Sequence, residues 1–402
     1  MKKTMISLMT AAALLTALAP SHVQAAQDVQ AVKADKHAVD RVLVKLKQGK
    51  QASTVLEKHG LKEFRTLGKS QWKLVKVPNG KAADFLANLQ GDADVEVAEL
   101  DQVYSMTPEE ISSVQGVIAP ELTPNDPGYP SQWYLNNIQV PYAWDITTGS
   151  TSLTLGVIST GVDIQHPDLA SKIVGGYDFV NNDTVADDDQ GQGTAMAGLA
   201  AAIGNNGIGI AGVDWKVRVL PVKVLSANGS GYVSDIIDGV YYAADNSNVM
   251  VMGLGGGSYS TAFQDAINYA WNKNRVIVAA VGSSNTSTPS YPANYSNVFS
   301  VAATTSSNTK ASFSDYGTWV DIAAPGSSLL TLSHTGGTTT LSGASMAAAL
   351  VSGVTTLAWS KNIGYSNSSV VNRLCSTADA ISGTGTYWRC GKVNAYRAVN
   401  GF

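Results

Sequence analysis

Ser345 lies in the run Ser342-Gly343-Ala344-Ser345-Met346-Ala347, a small-residue turn that feeds an alanine-rich apolar stretch. A serine in the first turn of such a helix is surrounded by free backbone N–H groups and the positive end of the dipole, which favour a developing oxyanion. That is the setting of a nucleophilic serine; the other reading, a plain N-cap, fits the motif equally well. A serine hydroxyl is a weak nucleophile near neutral pH and needs a base within hydrogen-bond reach. The chain has five histidines, of which only His166 and His334 lie beyond residue 106. His334, eleven residues before Ser345, reads as a surface histidine on a hairpin feeding the helix. Asp187, Asp188 and Asp189 offer carboxylates, but Gln192, at the start of the next helix, is an amide.

The elements that position these groups follow from periodicity. Residues 153–158, 217–224, 249–254 and 275–281 are short apolar runs that read as strands. Between and after them, residues 193–203, 234–244, 262–272 and 345–359 read as helices, the last of these closing the chain's helical content. Apolar strands alternating with helices predict an α/β fold, a doubly wound parallel sheet covered on both faces. Ligands bind such sheets at the C-terminal strand ends, where Ser159, Gly255 and Ser283 fall. Residues 27–106 differ in character and hold most of the lysines. Strands at 42–46 and 72–77, helices at 51–59 and 82–89, and extended chain at 95–104 predict a small α+β domain. Residues 107–120, proline-bearing and aperiodic, read as a linker to a domain spanning 121–402.

At 402 residues, 44% hydrophobic and 14% charged, the chain can bury a large core. A net charge of −4 without a dense basic block disfavours nucleic acid as a partner. Lys2, Lys3, the apolar run 5–19 and Val23-Gln24-Ala25 read as a signal peptide over residues 1–25, placing the chain in the periplasm or medium. The alternative, a membrane anchor, needs a run of about 20 apolar residues. Two cysteines, Cys375 and Cys390, suggest one disulfide in an exported chain, with two free thiols as the alternative.

Taken together, these segments resemble the subtilisin family of serine proteases, nearest to its thermitase-like branch. The resemblance rests on His166-Pro167-Asp168-Leu169, Ala311-Ser312-Phe313-Ser314-Asp315-Tyr316-Gly317, Ala324-Pro325-Gly326 and Gly391-Lys392-Val393-Asn394-Ala395. It implies a subtilisin-like fold over residues 121–402. Over residues 26–106, with the likeness strongest at 38–106, it implies a ferredoxin-like propeptide that serves as inhibitor and folding chaperone, an intramolecular lid. The chemistry departs from the pattern. Where the family has Asp-Thr-Gly this chain has Ser159-Thr160-Gly161, and where it has His-Gly-Thr-His this chain has Gln192-Gly193-Thr194-Ala195. The oxyanion asparagine is replaced by Ser283, and the nucleophile run continues Ala347-Ala348-Ala349-Leu350 without the usual proline and histidine. In subtilisin itself, a member of this family, loss of the histidine is known to lower turnover about 10⁶-fold.

By the same resemblance, Gly229-Ser230-Gly231-Tyr232 and Leu254-Gly255-Gly256 are two edges that pair with an extended peptide, unless these glycines are only turns. Asp126, Asp168 and Asn206, with carbonyls of Ile203, Ile208 and Ile210, correspond to the family's tight calcium site. Asp178, Asn181, Asp183 and Asp187 form a weaker candidate whose alternative is a solvated turn. The expectation is a secreted pseudoprotease that binds extended peptides or regulates an active relative. The alternatives are a calcium-stabilised serine endopeptidase with residual or atypical activity through Ser345, and a recently decayed or disabled copy of a protease.

Overall fold

The computed structural model describes residues 37–106 and 122–402. The signal peptide and linker expected at 1–25 and 107–120 lie outside the described residues. The N-terminal part runs β1 (His37–Leu46), α1 (Ala52–Glu57), β2 (Glu63–Thr66), β3 (Trp72–Lys76), α2 (Ala82–Gln90) and β4 (Val95–Met106). Its antiparallel sheet has the order β4-β1-β3-β2, the split βαβ arrangement. Strand alternation divides its side chains between two cores. Val42, Val44 and Val75 face α1 and α2, whereas Leu43, Trp72 and Leu74 join the core of the larger domain. Both faces of this small sheet are therefore buried.

The C-terminal part opens with two short helices, α3 (Trp133–Asn137) and α4 (Val140–Trp144), and strand β5 (Thr154–Ser159). There follow β6 (Tyr177–Asp178), α5 (Gln192–Ala201), β7 (Arg218–Lys223), β8 (Ser230–Tyr232), α6 (Val233–Asn246), β9 (Val249–Met252), β10 (Leu254–Gly255), α7 (Thr261–Asn272) and β11 (Val276–Ala280). The chain continues through β12 (Phe299–Thr304), β13 (Ile322–Pro325), the hairpin β14 (Leu329–Leu332) and β15 (Thr338–Leu341), then α8 (Ala344–Trp359), α9 (Asn367–Ser376) and α10 (Ala395–Val399). Seven strands form one parallel sheet in the order β13-β12-β11-β9-β5-β7-β6. Every residue of β5, β9, β11 and β12 is buried, as a sheet covered on both faces requires. Helices α5 and α8 pack together against it, and α6 packs with α7.

Two expectations are corrected. The apolar run 249–254 is not one strand: β9 ends at Met252 and Leu254 begins β10, which leaves the parallel sheet to pair with β4. The break falls at Gly253, where a Cβ would lie 2.5 Å from Met196 Sδ and 3.1 Å from Ser345 Cβ, so the chain must bend away. Nor is α8 the last helix. Helix α9 is polar, with Val370 and Leu374 one turn apart on its buried face, and is begun by Ser366, whose hydroxyl accepts from Ser369 N at 3.1 Å. Helix α10 has five residues, begun by Asn394. Helix α10 is too short to leave a helical pattern, and α9 carries its apolar pair within a run rich in serine and asparagine. Cys375 and Cys390 form a disulfide with a Cα–Cα distance of 5.0 Å. Closing a loop of that length contributes about 3 kcal/mol.

Candidate active-site cleft

Ser159 ends β5. The pairing of Ile158 with Met252 places it level with Gly253, and therefore beside Ser345 across the glycine. Its hydroxyl donates to Gln192 Oε1 at 2.9 Å, in a buried contact. Gln192 is the first residue of α5, after Gly191 at φ +115°. Asp188 caps that helix. Its carboxylate accepts from the N–H groups of Gln190 (3.1 Å), Gly191 (2.8 Å) and Thr194 (2.9 Å) and from the hydroxyls of Thr160 (2.7 Å) and Thr194 (2.6 Å). Nearby Lys223 is buried and donates to Thr160 O (2.7 Å), Asp189 Oδ1 (2.6 Å) and Leu225 O (3.1 Å). Neither group is available as a base, since each is held by several partners.

Ser345 is wholly buried in the first turn of α8. Ser283 stands beside it, its Oγ accepting from Ala344 N at 3.3 Å. The loop carrying Ser283 is held by Asp315, which accepts from Ser284 N (2.9 Å) and Thr286 N (3.0 Å). Burial raises the Asp315 carboxyl above its usual range, against those two bonds. The four sequence-predicted positions Ser159, Gln192, Ser283 and Ser345 thus converge, and all four side chains are uncharged. His334 lies in the turn of the β14–β15 hairpin, partly exposed, and a Cβ on Gly191 would meet its Nδ1 at 2.7 Å. His166 is buried, its Nδ1 accepting from Asp168 N at 3.2 Å and its Nε2 3.2 Å from Gly337 O.

The two glycine edges lie on either side of one strand. In β4, Tyr104 pairs with Gly231 and Ser105 with Ser230, while Met106 pairs with Leu254 and Ser105 with Gly255. Met106 N donates to Gly229 O at 2.8 Å. Residues 103–106 therefore fill the place between Gly229-Gly231 and Leu254-Gly255. Close approach requires glycine at 231, where a Cβ would fall 2.1 Å from Val224 O. The Tyr104 ring is fully buried, 5.7 Å edge-on from Phe263 and against Gly257, with burial pushing its phenol up.

Two acids of β4 complete the seat. Glu99 accepts from Ser260 Oγ (2.6 Å), Thr261 N (3.1 Å) and Ala262 N (3.3 Å) at the start of α7. Asp101 accepts from Ser234 N (3.0 Å) and Oγ (2.8 Å) at the start of α6. Each is a carboxylate on a helix N-terminus, the favourable end of the dipole. Arg65 pairs with Asp235 at 2.7 Å and with Asp238, and Trp72 Nε1 donates to Asp265 at 3.1 Å. Sequence reasoning missed Glu99, Asp101 and Tyr104. Their only signal is the alternation of β4, since the serines they meet at the starts of α6 and α7 are more than 130 residues distant.

Of the cation candidates, Asp126, Asp168 and Asn206 come together. Asp168 accepts from Asn206 Nδ2 (2.7 Å) and Ile210 N (2.9 Å), and Asp126 from Asn205 N (2.7 Å) and Asn206 N (3.2 Å). Asp168 O accepts from Ile203 N at 3.1 Å, and Asn206 Oδ1 accepts from Ile208 N at 3.0 Å. Both carboxylates are buried, and no ion pair to either is found among the described residues. Burial first, and then the Asp126 charge, raises the Asp168 carboxyl. The structure thus brings together the two buried carboxylates and Asn206 of the expected set, while at Ile203, Ile208 and Ile210 the groups that contact them are the N–H donors and not the carbonyls. In the other loop each acid closes on nearby backbone: Asp178 on Val180 N and Asn181 N, Asp183 on Val185 N, Asp187 on Ile164 N. Among the described residues no three His, Cys, Asp or Glu side chains cluster as a metal site.

Residues 150–393 match the Subtilase family, and residues 23–101 match the Fervidolysin N-terminal prodomain. The chain is 48% identical over 279 residues to Thermitase of Thermoactinomyces vulgaris, covering 69% of this chain and 99% of that protein. It is 41% identical over 333 residues to a Thermophilic serine proteinase of Bacillus sp. strain AK1, covering 82% and 79%. A solved structure of a protease from Pseudoalteromonas arctica superimposes with a TM-score of 0.65 at 32% identity, covering 69% of this chain and 99% of that one. The matched span contains both the parallel sheet and the cleft at its strand ends, and this chain belongs to the subtilase family.

Proposed function

We propose that this chain is a secreted pseudoprotease: a subtilase that has given up peptide hydrolysis and kept the peptide-holding cleft, with its N-terminal prodomain as the resident intramolecular ligand. The observation that carries this reading is the buried Ser159–Gln192 hydrogen bond, an amide and a hydroxyl where the family places its histidine and aspartate. A neutral amide cannot take the Ser345 proton near neutral pH, and Ser159 has no imidazolium to stabilise. The cleft edges still pair with extended backbone, which gives affinity without chemistry. The occupant in trans would be an extended peptide, or an exposed strand of a protein such as an active relative. Asp126, Asp168 and Asn206, with the carbonyls of Ile203, Ile208 and Ile210, would hold a structural calcium ion; the loop of Asp178, Asn181, Asp183 and Asp187 is a weaker second place for one. No helix among the described residues is long and apolar enough to cross a membrane.

The test is fluorophosphonate labelling of the full chain, exported from a protease-free host and read by intact mass. The expected result is no adduct, with the N-terminal domain still attached at full mass. An adduct that vanishes in Ser345→Ala would overturn the reading in favour of an endopeptidase working through an unrecognised base.

A further inference from the structure

The four side chains that replace or retain the family's machinery are uncharged, and one of them is left with an unmet hydrogen-bonding need. Gln192 is 1% exposed, its Oε1 takes the Ser159 hydroxyl, and its Nε2 has no hydrogen-bond partner. A buried N–H donor without an acceptor costs about 1–3 kcal/mol, so a ligand acceptor that reached it would recover that cost. Gln192 is bonded to Ser159, which lies level with Gly253, and a Cβ on Gly253 would fall 3.1 Å from Ser345 Cβ. The orphan donor therefore lies at the start of α8. That helix is 16 residues long, begins after Gly343 without a side-chain cap, and has no acidic residue in its first turn. Its dipole and the Ser283 hydroxyl beside Ala344 favour negative charge at the same place. The carboxylates nearby are already committed: Asp188 and Asp315 to backbone N–H groups, Asp189 to Lys223.

The strand register says what would bring an acceptor there. Met106 is level with Leu254 in antiparallel pairing. A peptide seated in the register of residues 103–106 and one residue longer therefore ends level with Gly253, against Ser345. Resting on the pseudoprotease reading above, we propose that the cleft recognises peptide C-termini: it receives an extended peptide whose free α-carboxylate is held by Gln192 Nε2 and the N-terminus of α8. An active subtilase must let a chain run through to cut it, whereas this site, with no general base, has only neutral donors to offer an end. The ligand class is the carboxyl-terminal product of another protease, aromatic at the position that Tyr104 fills.

The experiment uses the full chain with Tyr104→Gly and Met106→Gly, which removes the two anchors of the resident strand. Hydrogen exchange at the amides of residues 103–106 verifies that the strand has left the cleft. Acetyl-Val-Tyr-Ser-Met-Thr, the sequence of residues 103–107, is then titrated as the free acid and as the C-terminal amide. The free acid is expected to bind about tenfold tighter, the difference between a charge-assisted and a neutral hydrogen bond. Gln192→Leu should erase that preference. Gln192→Glu, which keeps the shape and the Ser159 bond, should reverse it and guards against a folding defect in the leucine variant. Equal binding of acid and amide would overturn carboxylate recognition while leaving peptide binding intact. Binding of neither would overturn both.

Discussion

Asp101 is the acid on which docking of the prodomain against α6 should depend most visibly with pH. It is fully buried, accepts two hydrogen bonds from Ser234, and lies 3.8 Å from Arg41 Nη1. Burial outweighs these favourable contacts and pushes its carboxyl from 3.8 up to about 7. The folded state therefore takes up a proton that the unfolded chain does not hold between those pH values. Its contribution is full below 3.8 and is lost as pH rises through about 7. At about 1.36 kcal/mol per unit, the span amounts to on the order of 4 kcal/mol. Asp101→Asn removes the titration and keeps the shape, because Asn Oδ1 still accepts from Ser234 N and the Ser234 hydroxyl can turn to accept from Nδ2. Urea unfolding of the full chain and the variant, from about pH 4 to pH 8, isolates the term, since Glu99 and Asp235, also raised by burial, are common to both. The variant should gain on the wild type by several kcal/mol across that range. Parallel curves would refute the claim that burial dominates at Asp101.

Two further outcomes follow from the cleft and the cation site. Gln192→His combined with Ser159→Asp should generate fluorophosphonate reactivity at Ser345, and adding Ser283→Asn should raise turnover by about 10², the order of the effect known for this oxyanion donor in subtilisin itself. Absence of reactivity in the triple variant would show that the cleft has changed beyond these positions. Removing calcium with a chelator should lower the thermal midpoint, because a ligand at 100-fold over its Kd stabilises by about 2.7 kcal/mol. Asp168→Asn should abolish that chelator effect, and equal melting of the wild type with and without calcium would sink the assignment of Asp126, Asp168 and Asn206.

Most of the frame was legible because it is written redundantly. The strands of the parallel sheet are near-continuous apolar runs, so β5, β7, β9 and β11 could be placed within a residue or two from composition alone. What failed was decided by contacts distant in sequence. The division of the 249–254 run depends on Met196 and Ser345 crowding Gly253. The edge strand β2 is four largely polar residues that exist only because β3 pairs with them. The site residues were legible by type and position, but not their new bonds: nothing local says that Ser159 donates to Gln192, or that the amide nitrogen is left over. Nor does anything local announce that His334, in the hairpin turn, lies against Gly191, 143 positions away.

The manner of the replacement bears on what the cleft now does. Ser159 and Gln192 share one buried hydrogen bond that leaves Gln192 Nε2 unpaired, and Ser283 accepts from the first residue of α8. At the same time the peptide edges keep glycine at 231, where any Cβ would strike Val224 O, and an aromatic pocket that fully buries Tyr104. Glycine at 231 is fixed by Val224 of its own domain, whereas the pocket that buries Tyr104 serves the bound strand. The edges that pair with β4 and the uncharged set of Ser159, Gln192, Ser283 and Ser345 are the two features on which the proposed strand-holding role rests. The single orphan in the set, Gln192 Nε2, then stands out as the atom that a bound end would complete.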